Sequence, residues 1–190
     1  MKALLQEISR CQLCAAHLPH GVRPVVQASS HSRILIVGQA PGRKVHETGI
    51  PWNDPSGDQL RLWLGVDSAT FYDPDRFALM PMGFCFPGSG KQGDLPPRQE
   101  CAPKWHPQLL PLMPDIQLTL LVGLYAQTHY LSDGFRTLTE RVKHWADCEA
   151  GHWPLPHPSP RNRMWQRNNP WFQTEVVPLL QQRVKGILLN

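Results

Sequence analysis

Long apolar runs are missing from this chain, and no stretch approaches the eighteen consecutive apolar residues that would suggest a membrane span. The N-terminus, Met1-Lys2-Ala3-Leu4-Leu5-Gln6-Glu7, has an early glutamate and no apolar core segment. It does not read as a secretory signal, and the expected location is the cytoplasm. Internal repeats and low-complexity tracts are also absent, so repeat architectures are set aside. Charge is modest, at a formal net +4 with an isoelectric point near 8.9, which suits a polyanionic partner without establishing one. Proline, by contrast, is abundant. Twenty prolines interleaved with apolar runs imply many fixed loops rather than disorder. With 190 residues and 41% hydrophobic content, a single domain over 1–190 can bury a core on both faces of a sheet.

Cysteine is scarce, but its spacing carries information. Cys11 and Cys14 form a C-x2-C pair, and Cys85 and Cys101 follow after a gap of seventy residues. The first pair lies too close together for a disulfide between them to staple anything. Four thiolates brought to one point are what a metal or iron–sulfur centre requires. Cys148 falls outside this spacing and reads as a plain buried thiol.

Hydrophobic patterning places strands at Arg33–Gly38, Phe77–Met82, Gln117–Gly123 and Trp153–Pro156, with Pro81 marking the end of the second. Helices are expected over residues 2–9, 55–64, 107–113, 124–131, 137–145 and 171–188, the last broken by Pro178, with Asp54 or Ser56 capping the second. Strands alternating with helices argue for an α/β fold, a three-layer α/β/α sandwich on a four-stranded parallel sheet. Polar signatures follow three strands: Gly38 to Gly42, Gly83-Phe84-Cys85, and His157-Pro158-Ser159-Pro160. Ligands of open parallel sheets bind beyond the carboxyl ends of the strands, so these segments mark the expected site.

These residues resemble the uracil-DNA glycosylase superfamily, and in particular its bacterial and archaeal branch with an iron–sulfur cluster. Gly38-Gln39-Ala40-Pro41-Gly42 is similar to that branch's first motif. Thr48-Gly49-Ile50-Pro51-Trp52 resembles the element whose aromatic residue stacks on the extruded base, and Gly57 matches a glycine that opens the next helix. His157-Pro158-Ser159-Pro160-Arg161-Asn162 is closest to the second motif of single-strand-selective uracil glycosylases. The resemblance implies a [4Fe-4S] cluster on Cys11, Cys14, Cys85 and Cys101, with zinc as the alternative. It implies a base pocket formed by Gly38, Ala40, Pro41, Gly42 and Trp52, with His157 stabilising the leaving base. DNA contacts fall to Ser159, Arg161, Asn162, Arg163 and Arg167, where Trp165 adds a wedge or stacking surface. Gly42 and Gly88 allow close approach of the main chain to phosphates. The implied partner is DNA with a deaminated base, bound by a monomer.

Two positions depart from the pattern. Gln39 stands where glutamate is usual, and an amide cannot act as a general base. Gln39 or Asp54 is expected to position water, with His46, Glu47 and Asn53 as further candidates. Pro81 replaces the asparagine that reads the uracil edge, so main-chain groups at Met82 and Gly83 are expected to read it instead. The favoured function is hydrolysis of the N-glycosidic bond of uracil or another deaminated base, in base-excision repair. The rival is a non-catalytic protein of the same fold that binds damaged or single-stranded DNA. A third reading is the same chemistry on a free nucleoside or nucleotide.

Overall fold

The computed structural model describes every residue except Gln92, Asp133, Glu149 and Asn190. In chain order the strands are β1 (Ile34–Val37), β2 (Phe77–Leu79), β3 (Ser89–Gly90), β4 (Gly93–Asp94), β5 (Leu118–Val122) and β6 (His152–Leu155). The helices are α1 (Lys2–Ser9), α2 (Arg43–Thr48), α3 (Pro55–Leu64), α4 (Ser68–Phe71) and α5 (Cys101–Leu109). They continue as α6 (Leu124–Tyr130), α7 (Leu138–Lys143), α8 (Arg163–Asn168) and α9 (Val177–Leu189). Four strands form a wholly parallel sheet in the order β2-β1-β5-β6, while β3 and β4 form a separate antiparallel hairpin.

Every residue of β1, β2 and β5 is buried, because helices cover both faces of the sheet. Alternate side chains separate into two cores. Ile34, Ile36, Leu79 and Leu120 pack with Leu60 and Trp63 of α3 and Leu180 and Val184 of α9. Leu35, Val37, Ala78 and Leu121 pack with Ile8 of α1 and Trp105 and Leu109 of α5. Trp63 sits edge-on to Phe172 with centroids 4.8 Å apart. Truncating it to alanine would cost about 3–5 kcal/mol. Pro154 is tolerated in β6 because that strand is the sheet edge and pairs only with β5. Buried Gln127 donates to the carbonyls of Leu121 and Leu155, at 3.2 and 2.9 Å, and so fastens the carboxyl ends of β5 and β6 together.

Some expected elements shift. The helix expected at 107–113 begins at Cys101, because Pro103 sits in a first turn that has no amide partner to lose, and Cys101, Ala102, Trp105 and Leu109 bury one face. Pro107 is accommodated inside that helix. Pro178 does not break the last helix. It lies at the start of α9, after a π-helical turn at Phe172–Val176. The short α2, α4 and α8 and the β3–β4 hairpin are further elements beyond those expected. Among the described residues no helix is long and apolar enough to cross a membrane.

Candidate active site

The segments that leave β1, β2 and β6 converge beyond the strand ends on a cavity of about 510 Å³, within the usual range for small-molecule sites. Its lining includes Gly38, Gln39, Ala40, Pro41, Gly42, Trp52, Asp54, Pro81, His157, Ser159, Arg161 and Asn162, with Val25, Val45 and Leu79 as apolar wall. His46, Glu47 and Asn53 fall outside it.

Trp52 has φ 56°, the one described non-glycine residue in the left-handed region, a conformation that costs an L-residue about 1–2 kcal/mol. Two glycines make its placement possible. A Cβ on Gly57 would overlap the Trp52 carbonyl, so the chain can fold back against α3 only with glycine there. A Cβ on Gly38 would lie 2.8 Å from Cζ2 of the indole, so glycine at the end of β1 leaves room for the ring. The indole faces His157, with centroids 5.9 Å apart and planes inclined by 31°.

His157 is held by its own turn. The Ser159 amide donates to Nδ1 at 3.2 Å, and Asn162 Nδ2 donates to the His157 carbonyl at 2.8 Å. The accepting role of Nδ1 fixes the proton on Nε2 in the neutral ring. Burial pushes the imidazole below its ordinary range, and the carboxylates of Asp54 and Asp94 pull the other way without reversing it. The site therefore presents a neutral imidazole with one N–H left to donate.

Asp54 has a structural duty as well. It is the cap of α3, with Oδ1 accepting from the Gly57 amide at 2.8 Å, and Pro55 follows at the first helical position. Its Oδ2 lies 3.9 Å from where a Cβ on Gly42 would stand, and Asp94 Oδ2 lies 3.3 Å from the same point. Two carboxylates therefore face Gly42, and their charge disfavours the phosphate expected there. Gly88 is closed off by Pro19 and Leu95. Gln39 Nε2 donates to the Leu95 carbonyl at 3.1 Å.

Other expectations are corrected. Met82 and Gly83 do not line this cavity. Their amides donate to the carbonyls of Gly38 and Gln39, at 2.8 and 3.0 Å, which extends the β1–β2 pairing past the strand ends. The Met82 side chain is buried in the second core, and Gly83 borders the cysteine cavity. The Pro81 carbonyl also has a partner, His106 Nε2 at 3.0 Å. Trp165 is no free wedge, since it packs on the first core and its Nε1 donates to Thr139 Oγ1 at 2.8 Å. Arg163 and Arg167 lie exposed on α8, outside the cavity, beside Met164, which is 64% exposed.

Asp94 was missed by sequence reading. It stands on a two-residue strand within a Gly-rich loop, and neither alternation nor motif singles it out.

Cys11, Cys14, Cys85 and Cys101 border a second, almost wholly apolar cavity with Leu13, Leu18, Val22 and Trp105. Burial pushes the Cys85 thiol up to about 11 and Cys101 up to about 12, and burial, then the Glu100 charge, raises Cys14. Such thiols stay protonated unless a cation binds the sulfur. The Phe84 amide donates to Cys101 Sγ at 3.3 Å. Among the described residues, no three Cys, His, Asp or Glu side chains form the tight group that holds a single ion. Cys101 is buried and the other three are half-buried, and all four border the one cavity, a donor set of the kind that a thiolate-held metal centre uses.

A parallel α/β sandwich thus carries an indole, an imidazole and two carboxylates around a cavity beyond its strand ends. The model of the uracil DNA glycosylase superfamily matches residues 25–181, and the chain belongs to that superfamily. Its members act on DNA and generally hydrolyse the N-glycosidic bond.

Proposed function

We propose that this protein is a DNA glycosylase of the iron–sulfur type that releases uracil or another deaminated base. The observation that carries this is the pairing of Trp52 with a neutral His157 whose Nδ1 is already taken. A base extruded from the stack needs a π-face and a donor at its edge. The indole supplies the face. His157 Nε2–H donates to a carbonyl of the base and gains strength as negative charge builds there during cleavage. A neutral donor suits this role because it keeps its proton throughout. Ser159, Arg161 and Asn162 at the mouth, with Arg163 and Arg167 beyond it, hold the flanking phosphates. Gln39 and Asp54 line the same cavity and orient the attacking water in this reading.

Cys11, Cys14, Cys85 and Cys101 hold a [4Fe-4S] cluster in this reading. When bound, it supplies a cross-link between the segment after α1 and both ends of the 85–101 loop, with no part in the hydrolysis.

The test is single-turnover cleavage, with enzyme in excess, of labelled oligonucleotides carrying uracil, hypoxanthine, xanthine or a mismatched thymine. Release of at least one base, reduced 10²-fold or more in His157→Ala, supports the reading. If no base is released but binding is tight and salt-sensitive, the protein is a non-catalytic binder of damaged or single-stranded DNA.

A further inference from the structure

We propose that Asp94, carried over the cavity by the β3–β4 hairpin, is the catalytic carboxylate that takes a proton from the attacking water. This rests on the glycosylase reading above. Gln39 cannot accept that proton, so the carboxylate must come from elsewhere in the cavity. Only two of the described lining residues carry one, Asp54 and Asp94. Asp54 spends Oδ1 on the Gly57 amide, and its Oδ2 is the more distant of the two from the point where a Cβ on Gly42 would stand, at 3.9 Å. Asp94 holds its Oδ1 against the Ser89 hydroxyl at 2.9 Å, which fixes the rotamer and leaves Oδ2 directed at the cavity, 3.3 Å from the Gly42 point.

The hairpin is built to hold Asp94 there. Its strands pair Ser89 with Asp94 and Gly90 with Gly93. Gly93 has φ 133°, and a Cβ there would meet the Arg161 guanidinium, so the hairpin closes directly on the turn that carries His157. The Gln39 amide clamps the next residue, Leu95, by its carbonyl. Gln39 thus acts as a strut: the amide at 39 positions the strand that delivers the acid, and a glutamate at 39 would lose that donor. The ionisable groups sharing the cavity with Asp94 are Asp54, His157 and Arg161.

In the proposed step water oxygen bonds to C1′ of the deoxyribose as the C1′–N bond breaks. The bonding pair leaves with the base, which His157 Nε2–H stabilises as an anion. The proton lost by water passes to the Asp94 carboxylate. The products are the free base, protonated from solvent, and an abasic sugar with a C1′ hydroxyl.

The experiment measures single-turnover rates against pH for the anaerobically purified full chain, wild type, Asp94→Asn and Asp94→Glu, on the best-cleaved base. Affinity is measured in parallel on DNA carrying the non-cleavable 2′-fluoro analogue. Asparagine keeps an oxygen for the Ser89 bond, so the hairpin and the thermal midpoint are expected to hold. The expected result is a wild-type rate that falls on the acid side, a loss of about 10²–10⁴-fold in Asp94→Asn with that acid limb gone, and near-normal affinity. Asp94→Glu is expected to be intermediate, with the acid limb retained. Three results overturn the proposal while leaving the glycosylase reading intact. One is an Asp94→Asn rate within threefold of wild type. Another is an acid limb that survives in Asp94→Asn, which gives it to another group of the cavity. The third is a loss of affinity in both variants as large as the loss of rate, which makes Asp94 a hairpin strut. A wild type that releases no base overturns both.

Discussion

The floor of the pocket depends on the absence of one methyl group at the end of β1. A Cβ on Gly38 would stand 2.8 Å from Cζ2 and 3.4 Å from Cη2 of Trp52. Relaxed carbon–carbon contact needs about 3.5–4.0 Å, so in Gly38→Ala the indole must move by about 0.7 Å. The main chain at Gly38 does not resist alanine, because its φ is not among the positive ones. The perturbation is therefore confined to the ring. A displaced indole either opens the stack on the base or crowds it. Base–aromatic stacking is worth about 1–3 kcal/mol. A gap of this size forfeits about a quarter to a half of a dispersion contact. The expected loss is about 0.25–1.5 kcal/mol, or about 1.5- to 12-fold in Kd. Fluorescence anisotropy with the 2′-fluoro oligonucleotide reads it without cleavage. Trp52→Phe removes the two carbons that a Cβ on Gly38 would strike, so in the double variant the losses should not add, with a coupling close to the Gly38→Ala loss itself. Wild-type affinity in Gly38→Ala, or strict additivity in the cycle, would refute the idea that this contact sets the pocket floor.

Further outcomes follow from the same geometry. His157→Ala is expected to lower single-turnover rate far more than affinity, because its contact strengthens as charge develops on the base; equal losses in both would make it a binding residue only. Anaerobically purified protein is expected to be brown with about four irons per chain, and to lose iron in Cys85→Ser but not in Cys148→Ser; a colourless chain with one zinc would replace the cluster with a tetrahedral site. Burial holds His106 at about 4, below the ordinary 6.5. The unfolded chain therefore takes up its proton first as pH falls, and stability is lost below about 6.5. Between pH 7.5 and 5 that amounts to about 2 kcal/mol, read as the difference in urea unfolding between wild type and His106→Gln; identical pH dependence in the two would refute it.

The sheet was legible because its strands are short apolar runs buried on both faces, and Ile34–Val37 and Leu118–Val122 allow little else. The first and last segments of the site were legible for a related reason. A glycine-rich turn after a strand and a His-Pro-Ser-Pro turn after another are local signals, and the topology places both at the same end. Trp52 was legible as an aromatic in a motif, but its positive φ and its dependence on Gly38 and Gly57 arise from contacts across the fold. Met82 and Gly83 were misplaced because strand periodicity does not say where pairing stops; their amides continue the β1–β2 ladder beyond the strands proper.

Asp94 was hidden for a deeper reason. Two-residue strands bury almost nothing, so no hydrophobic pattern announces them, and the hairpin is held by particulars: a glycine at φ 133°, a serine hydroxyl on a carboxylate, and the amide of Gln39 on a carbonyl. Read alone, Gln39 is a defect in a motif. Set beside Leu95, it is the donor that fixes the segment bearing the missing charge. The function of a substituted position lies here in what it holds. Cys85 and Cys101, at the two ends of that segment, border the second cavity, so in the cluster reading proposed above the loop that completes one site is positioned by the residues of the other.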